Sequence, residues 1–231
     1  MKRFLALILL GICGFSGCAE GPMHRLGHLN PWVVDQWEKE DRYAMTLYTK
    51  RANIRDLAKR ARSRNPQVAP EAITALNQIL ANEDLPLAKI EAARALGAVQ
   101  SPQATDGLLS ALSENEAEVR IAVCDALGRQ ANPKSIAGLE GVLNSDTENN
   151  VRLAAARALG NINDPNAARA LTLALSDRSP ALQFRSMESL KQITGEDFDG
   201  DPERWIAYVQ GDIQVDREPP SLAERLGDML R

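Results

Sequence analysis

The chain has 231 residues, a formal charge of −4 and a pI near 5.4. That acidic balance excludes a general nucleic-acid binder, which carries a basic footprint. Aromatic residues make up only 4% while alanine and leucine abound, a composition suited to closely approaching helices and unsuited to a sheet sandwich.

The first residues have the form of a targeting segment. Lys2 and Arg3 give a charged start, Phe4 to Ile12 is apolar but too short for a permanent bilayer span, and Phe15-Ser16-Gly17-Cys18 follows. This arrangement resembles a bacterial lipoprotein signal, with Phe15 where that family usually has Leu. The resemblance implies removal of residues 1–17, lipidation of Cys18, and a linker over 18–28. Ala19 in place of Asp implies the periplasmic side of the outer membrane, in a bacterial envelope. The other reading is an ordinary cleaved signal with a chance cysteine. Once Cys13 is lost and Cys18 acylated, only Cys124 is left, so no internal disulfide is expected. Cys124 aligns with Ala93, Ala156 and Met187, which marks it as a buried small hydrophobe and not a reactive thiol.

Residues 29–69 are expected to form an N-terminal helical cap, with Trp32, Trp37, Tyr43, Leu47 and Tyr48 closing one end of the fold. Within it, Lys50, Arg51, Arg55, Lys59, Arg60, Arg62 and Arg64 stand against Asp56 alone. Two readings stay open. This basic segment, 50–64, rests on anionic lipid head groups beside the anchor, or it is the solvated side of a helix with Ile54, Leu57 and Ala61 turned inward.

Four copies of one pattern follow, at about 70–100, 101–131, 132–163 and 164–195. Their second helices contain Lys89 to Gly97, Arg120 to Gly128, Arg152 to Gly160 and the decayed Gln183 to Lys191, at steps of 31 and 32 residues. A fixed period of this length marks stacked helical pairs. Ser101-Pro102, Asn132-Pro133 and Asp164-Pro165 are expected to cap and start the first helix of their units. The apolar stripes of the first helices are Leu76, Ile79 and Leu80; Leu108, Leu109 and Leu112; Leu139, Val142 and Leu143; Leu171, Leu173 and Leu175. Val119, Val123, Ala126 and Leu127 give the second helix of the second unit a core face at i, i+4, i+7 and i+8. Gly97, Gly128 and Gly160 are expected to end their helices in left-handed turns, whereas the fourth unit has Lys191 there, with Gly195 four residues later, and its ending is expected to differ.

The core Val-Arg-x-Ala-Ala-x-x-Ala-Leu-Gly, as in Val151 to Gly160, resembles the HEAT-like repeats first associated with phycobilisome lyases. The resemblance implies an all-α, right-handed α-solenoid of about four repeats over residues 70–195, with caps at both ends. Thr194 to Trp205 resembles a motif that closes such stacks in bacterial envelope proteins, with Asp201-Pro202 starting a last helix and Trp205 covering the end, over 196–210. A linker over 211–220 leads to the tail 221–231. There Ser221-x-x-Glu224 is a capping box and Leu222, Leu226, Met229 and Leu230 form one stripe. Whether that tail docks on this protein, docks on a partner or stays unstructured is open.

Two constellations bear on function. Glu83, Glu114, Asp146 and Asp177 each precede Lys89, Arg120, Arg152 and Gln183 by six residues, and the resemblance implies that such pairs link neighbouring units. On the helical wheel, Ile121 falls nearly opposite the core, with Ile90, Leu153 and Phe184 as its equivalents. Beside them run Arg94, Asp125, Arg157 and Glu188, alternating in sign. At helix spacings of about 8–10 Å the row would be about 25–30 Å long, a groove for an amphipathic helix or extended peptide on the concave side. The competing reading buries the apolar row between repeats and pairs the charges along the stack.

Catalytic and metal signals are poor. His24 and His28 lack a further ligand, and Asp197-x-Asp199-x-Asp201 has Pro202 and Tyr208 where a calcium loop needs Gly and Glu. The expectation is a non-enzymatic, lipid-anchored scaffold or adaptor that binds a protein partner and no cofactor, metal or nucleic acid. The alternatives are an accessory subunit of an enzyme, by analogy with the lyase repeats, or a structural membrane- or wall-binding protein.

Overall fold

Proline sets the beat of the structure. Pro86, Pro102, Pro133, Pro165, Pro180 and Pro202 all occupy the opening turn of a helix, where the missing N–H costs nothing and the fixed φ already suits the helix. The computed structural model describes residues 47–214; the signal segment, Cys18, the histidines, Trp32, Trp37 and the tail lie outside them. Residues 1–50 and 51–231 form separate units, and of the first only the start of helix α1 is described.

In chain order the helices are α1 (Leu47–Ala61), α2 (Val68–Asn82), α3 (Pro86–Leu96), α4 (Pro102–Ser110), α5 (Ala117–Gln130), α6 (Ile136–Ser145), α7 (Asn149–Gly160), α8 (Pro165–Leu173), α9 (Pro180–Thr194) and α10 (Pro202–Gln210). Short 3₁₀ turns fill Ala111–Ser113, Pro133–Ser135 and Ala174–Ser176. There is no strand among the described residues. The helices pair as α2/α3, α4/α5, α6/α7 and α8/α9, and the second members, α3, α5, α7 and α9, pack on one another in sequence. This is an all-α solenoid.

One core runs through the stack. Val119, Val123, Ala126 and Leu127 are all fully buried, as are Leu76, Leu108, Leu139, Leu143 and Leu171. Leu173 departs from its expected place in the stripe: at 55% exposure it points outward, because it lies about 200° around the helix from Leu171. At the far end, α10 packs on α8 and α9. Asp201 caps it, accepting from the backbone N–H of Glu203 and Arg204 at 3.0 and 3.2 Å. Trp205 is buried against the edge of Phe198, ring centroids 4.7 Å apart.

Capping follows the sequence with one exception. Asn132 and Asp164 accept from the N–H groups of Lys134 and Asn166. Ser101 makes no side-chain cap; its carbonyl accepts from the N–H of Thr105 instead.

The repeated glycines also depart from expectation. Gly97 has φ −63°, and Gly128 and Gly160 lie within their helices. Left-handed ends fall at Ala131, Gly195 and Gly211. Gly97, Gly128 and Gly160 are where one second helix meets the next. A Cβ on Gly97 would stand 2.7 Å from Ala126 Cα, one on Gly128 2.8 Å from Ala158 Cα, and one on Gly160 2.7 Å from Ser189 Cβ. The first helices are spaced by side chains: Gly107 faces the Asn77 amide and Gly138 the methyls of Leu109 and Leu112.

This contrast fixes the sign of two alanine substitutions. Gly128→Ala forces α5 and α7 apart and should cost about 1–3 kcal/mol. Gly141→Ala, in α6 with nothing within 4 Å of the new methyl, should gain about 0.5–1 kcal/mol from helix propensity. Urea unfolding of both variants checks the pair. A neutral Gly128→Ala would mean the second helices have slack.

Candidate functional site: the face of the second helices

The acid–base spacing builds a ladder between units. Lys89 of α3 reaches Glu114 of the next unit at 2.5 Å. Arg120 of α5 grips Asp146 with two bonds of 2.7 and 2.9 Å. Arg152 of α7 reaches Asp177 at 2.5 Å. Each arginine also donates to a carbonyl at the end of its own first helix or turn: Arg120 to Glu114 and Asn115, Arg152 to Leu143. Asp146 and Asp177 in turn accept from the N–H of Glu148 and Ser179, so each acid caps its own turn and receives the preceding base. Gln183, in the last unit, closes the ladder by donating to the Asp177 carbonyl.

Burial strengthens the central rung. The side chains of Arg120 and Asp146 are 12% and 7% exposed, so little water screens them. The hydrogen bond from Arg120 holds the Asp146 carboxyl below its ordinary value, and the same bond raises the guanidinium. The Arg152 bond lowers Asp177 in the same direction. On the same helix, burial first, and then the charge of Asp125, push the Cys124 thiol up to about 12, so it stays protonated and acts as packing.

The second helices also carry the residues singled out for binding. Ile90, Ile121 and Leu153 are half-buried and pack against the core, each flanked by the neighbouring helix. Phe184 is 59% exposed. Arg94 lies 3.7 Å from Glu91. Asp125 and Arg157 join α5 to α7 at 2.5 Å. Glu188 is exposed beside Phe184, one turn along α9. The structure thus places all eight side chains on α3, α5, α7 and α9, with part of the charge row paired along the stack.

Basic residues of α1 divide. Ile54, Leu57 and Ala61 face inward, as the helical pattern requires. Arg51 reaches Glu91 at 3.3 Å, and Arg60 lies 3.9 Å from Glu71 of α2. Arg62 donates to the Ala58 carbonyl.

Sequence reasoning missed Gln130. It occupies the place that Val99 and Ile162 hold in neighbouring units, and it is buried. Its amide donates to the carbonyls of Leu96 and Val99 at 3.1 and 3.0 Å and accepts from the Thr105 hydroxyl at 2.8 Å, tying the first two units together. The signal was there: a polar residue at a position otherwise apolar. Among the described residues no group of three or more His, Cys, Asp or Glu side chains is placed to hold a metal, and no helix is long and apolar enough to cross a membrane.

Helical pairs stacked on a single core, linked rung to rung, define a helical-repeat solenoid. More specifically, the chain belongs to the HEAT repeat family, whose pattern matches residues 73–153 and 137–203, together more than half of the sequence. Two solved structures share the fold. One is the complex of CpcE and CpcF of phycocyanin lyase from Nostoc sp. PCC7120, at 21% identity and a TM-score of 0.52, covering 67% of this chain and 62% of that one. The other is human deoxyhypusine hydroxylase in complex with glycerol, at 20% identity and a TM-score of 0.51, covering 74% of this chain and 66% of that one. The chain therefore spans less than two thirds of either neighbour. No curated protein matches it.

The ladder carries a pH prediction. Asp146 and Asp177 sit below the ordinary carboxyl value of 3.8, so their contribution is complete above that value. It is lost as pH falls through their lowered folded values, where both become protonated. Stability should therefore drop on acidification below about pH 4. Asp146→Asn should cost on the order of 3 kcal/mol at neutral pH by leaving Arg120 unpaired, and should flatten the acid limb. Chemical denaturation from pH 2.5 to 7 reads both effects; an unchanged acid limb in the variant would remove Asp146 from the account.

Proposed function

We propose that this protein is a lipid-anchored scaffold or adaptor of a bacterial envelope that binds a protein partner on the face of its second helices. Cys18 is the acylated residue and the periplasmic side of the outer membrane the location. The reading is non-enzymatic. It rests on one observation above the rest: the row Ile90, Ile121, Leu153 and Phe184 runs across four helices and ends in an aromatic ring that is 59% exposed. Large aromatic residues left exposed are costly in water and dominate binding energy where they are covered. Second helices that touch at glycine, beside first helices spaced by side chains, bend a stack toward the second-helix side. A row on the inside of such a bend would give an extended surface that wraps a partner.

The test is a photoreactive residue placed at 121 or at 184 in intact cells, followed by mass spectrometry of crosslinked products. One recurrent protein partner at both positions is the expected result. Crosslinks to lipid, wall material or the chain itself, and to nothing else, would overturn the reading. Phe184→Ser should abolish the partner crosslink from position 121 while leaving the melting temperature within about 2 °C, since an exposed side chain contributes little to folding.

A further inference from the structure

Beside the apolar row, α1 and α3 enclose a groove of about 180 Å³. Its floor is apolar, with Ile54, Ala58 and Ala95, and its walls carry Arg55, Arg62 and Arg94. The local charge is strongly one-sided. Among the described residues Glu91 is the only carboxylate lining the groove, and it already faces both Arg51 at 3.3 Å and Arg94 at 3.7 Å. Arg55 has no ion-pair partner among the described residues, and Arg62 donates only to a backbone carbonyl. A further cation lies next to these. Arg129 of α5 donates to the Arg94 carbonyl at 3.2 Å, which sets its guanidinium at the C-terminal end of α3.

The groove leads onto the row. Arg94 stands one helical turn after Ile90 on the same side of α3, and Ile121 follows on α5. From these features we infer that the groove binds carboxylate side chains of the partner, and that the segment bound along this face is an acidic–apolar peptide. Its acidic end sits on Arg55, Arg62 and Arg94, and its apolar residues continue toward Ile121 and Leu153. The inference rests on the protein-binding reading above and adds the chemistry of what is bound. Arginine suits this task, because its planar fork accepts a carboxylate in two-bond geometry.

A phospholipid surface is the competing anion. The arrangement favours a peptide for two reasons. Arg55, Arg62 and Arg94 flank a recess with an apolar floor, sized for one or two side chains, whereas a bilayer meets a plane. Arg60, in the same basic run, is turned toward Glu71 of α2 and away from the groove.

The experiment uses the full chain in detergent and three fluorescein-labelled 14-residue probes, read by anisotropy. One alternates glutamate with leucine pairs, one carries lysine for each glutamate, and one carries serine for each leucine. Flotation with phosphatidylglycerol vesicles runs alongside. The glutamate–leucine probe should bind best, and R55E with R62E should weaken it at least tenfold while the melting curve is unchanged. Added salt should weaken wild-type binding and leave the double variant's residual binding nearly unaffected. No binding by that probe, or equal binding by the lysine probe, overturns the inference. So does an unchanged affinity in R55E with R62E. Vesicle binding that the double variant loses, without peptide binding, assigns the groove to lipid head groups. If crosslinks from position 184 reach a protein while the glutamate–leucine probe fails, the adaptor reading survives and this inference does not. If those crosslinks also fail, both fall.

Discussion

The contact on which the rest depends is the meeting of each second helix with the next at a glycine. With no side chain at Gly97, Gly128 or Gly160, the backbone of the neighbouring helix comes close enough that an added methyl would overlap it. Ala126 of α5 and Ala158 of α7 meet two of these glycines, and buried alanines recur along the second helices, at 92 and 93, 122, and 154 and 155. Small residues contribute less transfer free energy each than leucine does. They compensate by bringing many backbone atoms into van der Waals contact, whose sum is large. Leucines then fill the wider space between the two helices of a unit, where Leu108, Leu127, Leu139 and Leu159 are fully buried.

That close spacing is what lets the ladder exist. A base on one second helix meets the acid of the next unit only if the two helices sit at a fixed distance and phase, and the three rungs repeat with sequence separations of 25, 26 and 25 residues. A buried ion pair is weak evidence for net stability, since desolvation offsets much of its attraction. Its consequence here is register. A unit slipped by one helical turn would leave Arg120 without Asp146 in a place with little water. Gln130 acts in the same way between the first two units, through two bonds, to the Leu96 and Val99 carbonyls, that a displaced helix could not make.

Features that recur were legible in the sequence, and features that depend on a neighbour were legible only in part. The ladder could be read because the six-residue spacing repeats in register. Gly97 and Gly160 do stand at helix ends and Gly128 inside one, but none takes the expected left-handed conformation. What distinguishes a packing glycine is the small residue that meets it, Ala126, Ala158 or Ser189, each two positions before the corresponding place in the next unit. The apolar row suffered from the same limit. A helical wheel sees one helix, and on it Ile121 lies opposite its own core. In the stack, neighbouring helices flank it, so Ile90, Ile121 and Leu153 end half-buried while Phe184, in the last unit, stands out. Gln130 escaped because a single polar residue among apolar equivalents reads as decay until its partners are seen.

Decay of the repeat also marks where the units stop being interchangeable. Interior positions of the middle units are nearly copies, because each must fit the same neighbour, and a copied position carries information about stacking alone. The end units have one repeat neighbour each and are free to differ. Glu91 replaces the buried alanines at 122 and 154 and turns to Arg51 of α1, which creates the charged groove at that end. Phe184 replaces the half-buried aliphatic residues of the preceding units and projects its ring. Both departures fall on the same set of helices: one puts a carboxylate between Arg51 and Arg94, the other an exposed aromatic, where the repeat does not require either. A solenoid built from interchangeable units acquires a distinguishable surface only at such departures, so under the proposed adaptor role the two ends of this face would set which partner is accepted and the middle would supply the length between them.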